Sequence, residues 1–354
     1  MQDGERQDEV IIERLGTAAI IRLNRPRALN SLTLPMIRAI TAALHAFAGD
    51  PEVTSVVMMG EGERGFCAGG DIRALHASAR AGDGLAGTFW CEEFRLNHMI
   101  AAYPKPYVAL MDGITMGGGV GLSSHGRHRV VTERTRLAMP ETGIGYVPDV
   151  GATWLLPRGP GEAGTWLGLT GLDIGAADAI HARLADLQIA SSRLGEVIDA
   201  LSDLPRASSS GDVDAVLQAL SEPQGESRLR QNAAVINRAF GFDSVEEILA
   251  ALAEEEGEFA AETRRVLLTR SPTSLKLALR LLRAGRRSAS LAECLDRELG
   301  ACLQMVDNPD FFEGIRAAVI DKDRNPKWSP ASVEAVESER VEHFLKPAEP
   351  PLSL

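Results

Sequence analysis

Glu141 and Asp149 stand in one stretch, "LAMPETGIGYVPDVGATWLLPR" (137–158), which is broken by Pro and Gly and is otherwise apolar through Met139, Ile144, Tyr146, Val147 and Trp154. Carboxylates in apolar surroundings gain proton affinity, which suits them to acid–base or nucleophilic work. Plainer uses exist for both. Glu141 can charge the first turn of a helix, and Asp149 can open a turn before Val150-Gly151. A second feature favours chemistry. Two glycine-bearing turns, "GFCAGGDI" (65–72) and "GITMGGGVGL" (113–122), each follow an expected strand and open an expected helix. One such turn serves tight turning and close helix–sheet packing. Two can bare a pair of backbone N–H groups toward an oxygen that becomes negative, the requirement of an oxyanion hole. Two acids and two such donors make an acyl-transfer site.

Competing motifs fail on their spacing. "GGGVGLSS" has no lysine for a phosphate-binding P-loop, and no G-x-G-x-x-G can be counted from Gly117 or Gly119. Gly121-Leu-Ser123-Ser-His125 ends in histidine where a nucleophile elbow has glycine, so Ser123 and His125 are read as packing or surface groups. His125 and His128 lack the i,i+4 spacing of a helical metal motif, and no metal is assigned. Cys67, Cys91, Cys294 and Cys302 show no C-x-x-C spacing, which argues against a disulfide framework or zinc site and for a reducing compartment. The start, "MQDGERQDEV", has no apolar leader segment, and no apolar run is long enough to span a bilayer. A cytoplasmic protein with no membrane partner is expected. A net charge of −12 disfavours nucleic acid and anionic membranes, leaving a small molecule as the default ligand.

The elements that must position these residues alternate. "VIIERLGTAAIIRL" suggests a hairpin around Gly16, and "TLPMIRAITAALHAFAG" a helix capped by Thr33 with Pro35 in its first turn. "SVVMMG" (55–60) reads as a buried strand, with helices from Asp71 and over 89–103. "YVALMDG" (107–113) and two runs in "HRVVTERTRLAMPE" read as further strands. This is an α/β pattern. "PRASSSGDVDAVLQALSEPQG" (205–225) reads as a connection, and nearly everything beyond it as helix. The expected division is a core with the site over 1–204, a linker or variable loop over 205–228, a helical region over 229–346 and a frayed tail over 347–354.

"NRPRALNSL" (24–32), "GFCAGGDIRAL" (65–75), "MDGITMGGGVGLSSHGRHRV" (111–130), "AMPETGIGYVPDVG" (138–151) and "FFEGIRAAVIDKDRNPKW" (311–328) together resemble the enoyl-CoA hydratase/isomerase (crotonase) superfamily. Within it they are most similar to the 3-hydroxyisobutyryl-CoA hydrolases of valine breakdown. The resemblance runs almost from end to end and is weakest over 185–265. It implies a crotonase spiral of ββα units with a helical C-terminal region, an acyl-CoA substrate with no further cofactor, and a possible homo-oligomer. It gives the oxyanion N–H groups to Gly70 and Gly118, the catalytic carboxyls to Glu141 and Asp149, and a substrate-contacting acid to Glu93 in "CEEFRLN". CoA would lie along Arg27, Ala28, Leu29, Ala68, Gly70 and Ile72, with Lys322 near its phosphates. Hydratases of the superfamily carry a catalytic glutamate two residues after the third glycine, where this chain has Gly121, and usually glycine where it has Asp149. The resemblance therefore implies hydrolysis of a short 3-hydroxyacyl-CoA. Its rivals are hydration or isomerisation of a related acyl-CoA, and a non-catalytic interaction protein with RNA as its partner. The last would need a basic face that the acidic composition speaks against.

Overall fold

β-Branched and apolar runs become strands in pairs. In the computed structural model, which describes residues 8–354, β1 (Val10–Leu15) and β2 (Ala18–Leu23) form the expected antiparallel hairpin. The reading of residues 1–7 lies outside that range. Thereafter the chain lays down β3 (Ser55–Gly60) and β4 (Gly65–Cys67), β5 (Tyr107–Met111) and β6 (Ile114–Met116), β7 (His128–Val131) and β8 (Arg136–Ala138), and finally β9 (Leu187–Gln188). The first member of each pair joins a six-stranded sheet of order β1-β2-β3-β5-β7-β9, parallel from β2 onward. The second member joins a separate parallel sheet, β4-β6-β8. Each turn of chain thus places one strand in each sheet before a helix carries it on, which is the spiral of ββα units.

The central strands β2, β3 and β5 are covered on both faces, so they are almost continuously apolar, whereas edge strand β1 carries Glu13 and the exposed Arg14. Ala19, Ile21, Val56, Met58, Ala109 and Met111 point into the main core; Ala18, Ile20, Val57, Val108, Leu110 and Val130 point into a second one. The main core is covered by α1 (Leu34–Gly49), α2 (Ile72–Ala81), α3 (Leu85–Ala101), α4 (Gly118–Ser123) and, later, α5 (Ala152–Leu155). α1 begins as the sequence indicates: Thr33 Oγ1 accepts from Met36 N at 3.3 Å, and Pro35 occupies the first turn.

Two segments differ from their sequence reading. The 205–228 stretch is not all connection, because the Ser210–Leu220 helix lies within it, started by a capping box between Ser209 and Asp212. Its Val213 and Leu217, one turn apart, close the second core. Ser209 is its N-cap, and Ser210 and Gly211 form its first turn rather than loop filler. The 347–354 tail is docked: Leu352 N donates to Asp296 Oδ1 at 2.8 Å, Arg95 Nη2 donates to Leu352 O at 3.0 Å, and Ala348 and Leu352 are buried. Among the described residues no helix is long and apolar enough to cross a membrane.

Candidate active site

Strands β4, β6 and β8 are parallel neighbours, so their C-terminal ends lie side by side, and a segment singled out by the sequence follows each of them. After β4 come Ala68–Asp71 and α2; after β6 comes Gly117 and α4; after β8 come Met139, Pro140 and Glu141. Crevices outside the carboxyl ends of parallel strands are where open α/β sheets bind ligands.

The three consecutive glycines each abut something that leaves no room for a side chain. A Cβ on Gly117, whose φ is +50°, would lie 3.0 Å from Glu141 Oε1. One on Gly118 would overlap Glu93 Oε1, and one on Gly119 the Cys67 carbonyl. The Gly118 Cβ position is also 3.5 Å from Gly70 N, so the two glycine turns touch. Neither the Gly70 nor the Gly118 N–H donates to a protein acceptor among the described residues. Two adjacent glycines whose N–H groups have no acceptor among the described residues therefore line the space beside the acids.

That space is a cavity of about 200 Å³ whose walls include Ala68, Gly70, Ile72, Glu93, Gly118, Glu141 and Asp149. Phe89, Trp90, Tyr146 and Val319 supply apolar wall. Glu93 projects from α3, Glu141 opens a short 3-10 turn (Glu141–Ile144), and Asp149 stands in the loop before α5. They are only 2–6% exposed. Glu93 Oε1 and Glu141 Oε2 have no hydrogen-bond partner among the described residues, and Asp149 Oδ2 faces the Tyr146 hydroxyl at 3.4 Å. The Tyr146 ring stacks on Trp90 with centroids 5.7 Å apart. Burial pushes all three carboxyls well above the usual range; the Asp149 charge adds to this for Glu93 and Glu141, and the Glu298 charge for Asp149. Three such groups around one small cavity do not all ionise at neutral pH, since each charge disfavours the next. The site can therefore hold a base and an acid together.

Of the positions expected along CoA, Ala68, Gly70 and Ile72 line the cavity. Arg27, Ala28 and Leu29 do not, but their turn is bonded to it: Ala68 N donates to Leu29 O at 3.0 Å and Leu32 N to Gly69 O at 2.8 Å. Lys322 lies outside the lining, exposed and with φ of +60°, three residues after Val319. Ser123 and His125 are packing groups as read. The Ser123 hydroxyl donates to Gly119 O at 2.7 Å, and His125 Nε2 lies 2.7 Å from Val150 O. The ring is held neutral by burial, with its pKa lowered to about 4, so that nitrogen donates. At Gly121 a Cβ would come within 2.7 Å of Asn97 Nδ2 and 2.8 Å of Val150 Cβ, so no glutamate fits there without rearrangement.

Sequence reasoning missed Glu298, on the Leu291–Met305 helix, which is fully buried behind Asp149. The signal was present: Cys294, Glu298 and Cys302 share one buried helical stripe, and an acid there stands out from an otherwise apolar face.

Residues 18–345 match the family model described as enoyl-CoA hydratase/isomerase. Relatives named "3-hydroxyisobutyryl-CoA hydrolase, mitochondrial" include those of Danio rerio, 42% identical over 97% of this chain and 90% of the relative, and of Homo sapiens, 40% identical over 96% and 89%. Among solved structures, an enoyl-CoA hydratase from Rhodobacter sphaeroides is 44% identical with a TM-score of 0.89, covering 98% of this chain and 100% of that one. A carnitinyl-CoA dehydratase from Mycobacterium thermoresistibile is 39% identical with a TM-score of 0.93, covering 98% and 99%. The mitochondrial placement in the relatives' names overturns the cytoplasmic location expected from cysteine usage and the N-terminal residues. A reducing compartment is not specific to the cytosol.

Proposed function

The chain belongs to the enoyl-CoA hydratase/isomerase family, and we propose that its buried acids and paired glycine amides hydrolyse a thioester rather than hydrate an alkene. The reaction is the conversion of 3-hydroxyisobutyryl-CoA to 3-hydroxyisobutyrate and CoA, a step we place in valine breakdown. The observation that carries this reading is the convergence of Glu93, Glu141 and Asp149 on the cavity beside the free Gly70 and Gly118 amides. The filled space at Gly121 supports it, because a hydratase needs a carboxylate at that place. The hydratase and dehydratase titles of similar structures describe those proteins; the backbone is common to both chemistries, and the acids separate them.

The Gly70 and Gly118 amides donate to the thioester oxygen and stabilise it as it becomes negative, each such donor contributing about 2.7–4 kcal/mol in the transition state. Glu141, acting as the carboxylate, either attacks the carbonyl carbon to give a mixed anhydride, which water then hydrolyses to free acid and Glu141, or takes a proton from a water that attacks. Asp149, kept protonated by burial and by Glu298, gives its proton to the departing thiolate. Glu93 holds the substrate hydroxyl. A cavity of about 200 Å³ has room for a short branched acyl group. Ala68, Gly70 and Ile72, with the neighbouring Arg27–Leu29 turn, form the path we assign to CoA, with Lys322 toward its phosphates.

The test is release of free thiol from 3-hydroxyisobutyryl-CoA, compared with hydration of a matched enoyl-CoA. Asp149→Asn is expected to lower kcat for thiol release by ~10²–10⁴-fold with the fold retained. Near-native turnover, or hydration outpacing thiol release in the unaltered protein, refutes the assignment.

A further inference from the structure

We infer that Glu298 is a positioning residue for Asp149, gripping the chain immediately after it and so fixing where the Asp149 carboxyl stands. The inference rests on the hydrolytic reading above and deepens it.

The chain after Asp149 takes a course that local preference opposes. Val150 has φ of +53°, a region costly for a β-branched residue, and Gly151 has φ of +81°. Such a turn persists only where its surroundings hold it. Two groups do. From one side His125 Nε2 donates to Val150 O at 2.7 Å. From the other, the Glu298 carboxylate accepts three hydrogen bonds: from Gly151 N at 2.7 Å, Thr153 N at 2.8 Å and Thr153 Oγ1 at 2.5 Å. Ala152 N closes the turn onto Asp149 O at 2.8 Å, which ties the gripped segment to Asp149 itself.

Glu298 is 0% exposed and forms no ion pair among the described residues, so its three neutral donors are what keep it in place. A carboxylate suits this place better than an amide, because donors meet both of its oxygens and a glutamine would set an N–H against one of them. The charged and titratable groups around it are Asp149 and Glu141 toward the cavity, and Cys294, Arg297 and Cys302 on its own helix. Burial raises the Glu298 pKa to about 7 against the pull of its donors. Its negative charge raises the proton affinity of Asp149, so a neutral residue at 298 lowers that affinity.

The experiment uses the full-length chain, 3-hydroxyisobutyryl-CoA and a thiol reagent. Glu298→Gln is expected to lower kcat roughly 10²-fold, as small misplacements of catalytic groups do, with KM changed less than about threefold. The limb of the pH profile set by Asp149 moves about one unit toward lower pH, as loss of one nearby charge requires. Because the effect passes through Asp149, the double variant Asp149→Asn, Glu298→Gln is no slower than Asp149→Asn alone. A folded Glu298→Gln with unaltered kcat and pH limb overturns the inference, as does a full further loss in the double variant. If Glu298→Gln does not fold, Thr153→Val removes one donor and keeps the Glu298 carboxyl in place. Its kcat falls several-fold, and a wild-type kcat there also overturns the inference. A near-native Asp149→Asn sinks the hydrolytic reading and this inference with it. A slow Asp149→Asn beside an unimpaired Glu298→Gln sinks the inference alone.

Discussion

Glu93 shows at the scale of one residue how this site opposes the stability of its own fold. Its folded pKa is raised, chiefly by burial and then by Asp149, so between the ordinary carboxylate range and the folded value the native state holds a proton that the unfolded chain has lost. The contribution to stability is complete below about pH 4.3 and falls as pH rises toward the folded value, by about 1.4 kcal/mol for each pH unit in that window. Glu93→Gln removes the penalty. Its Tm at pH 8 is expected to exceed that of the unaltered protein by a few degrees, with no gain at pH 4, while thiol release falls. Scanning calorimetry at the two pH values decides the matter, and a lower Tm for the variant at pH 8 would show that Glu93 anchors its surroundings. Glu141 and Asp149 were legible as residues because acids in an apolar, Pro/Gly-broken stretch are conspicuous. Glu93 was legible only through family resemblance, since "CEEFRLN" reads as an ordinary helix face, and only the fold brings it against Gly118.

At the scale of elements, the turn that carries Glu141 leans on a helix far away in sequence. The Glu141–Ile144 turn ends at Gly145, whose φ is +72°, and a Cβ there would overlap the carbonyl of Asp310 in the Pro309–Ile315 helix. Gly314 of that helix meets the Ile144 backbone just as closely. Gly145→Ala therefore combines a left-handed backbone with a clash against main chain that cannot rotate away, and a loss of at least ~2–3 kcal/mol is expected by urea denaturation. Thiol release should drop through kcat more than KM, because Glu141 moves with the turn. Gly195→Ala is the control: it lies in the Leu194–Ser202 helix with open space at its Cβ and should be neutral or slightly stabilising. The glycine turns and the main strands were visible in the sequence through β-branched runs and turn residues. Of the three-stranded sheet only β8 was read, as the second run in "HRVVTERTRLAMPE"; β4 and β6 were not, because strands three residues long show no period to read. The Ser210–Leu220 helix was hidden by its cap residues, which composition alone assigns to a loop.

For the whole molecule, the sequence suggests a core ending near residue 204 and a helical region beyond it, yet burial joins the two. One apolar cluster runs from Val10 to Leu352, with Leu156 and Leu167 in the same core as Leu275, Leu282 and Leu299. Glu162 bonds both Arg283 at 3.0 Å and Arg286 at 2.6 Å across that division. The motifs were legible because each is local; the support behind them was not, because it comes from helices more than a hundred residues later. A chain ending at residue 204 would keep both glycine turns of the site and all three cavity acids. It would lose the Glu298 grip on Gly151 and Thr153, and expose the apolar faces that the Pro272–Arg287 and Leu291–Met305 helices cover. Each large side chain so exposed forfeits about 1.5–3 kcal/mol, and a handful exceeds the usual 5–15 kcal/mol margin of a domain. The 1–204 fragment is therefore expected to be insoluble or to lack fixed tertiary packing, with no near-ultraviolet dichroism and no thiol release. A soluble 1–204 fragment with native-like dichroism and measurable hydrolysis would mean that the site is built by the ββα spiral alone, and that the C-terminal helices only cover it.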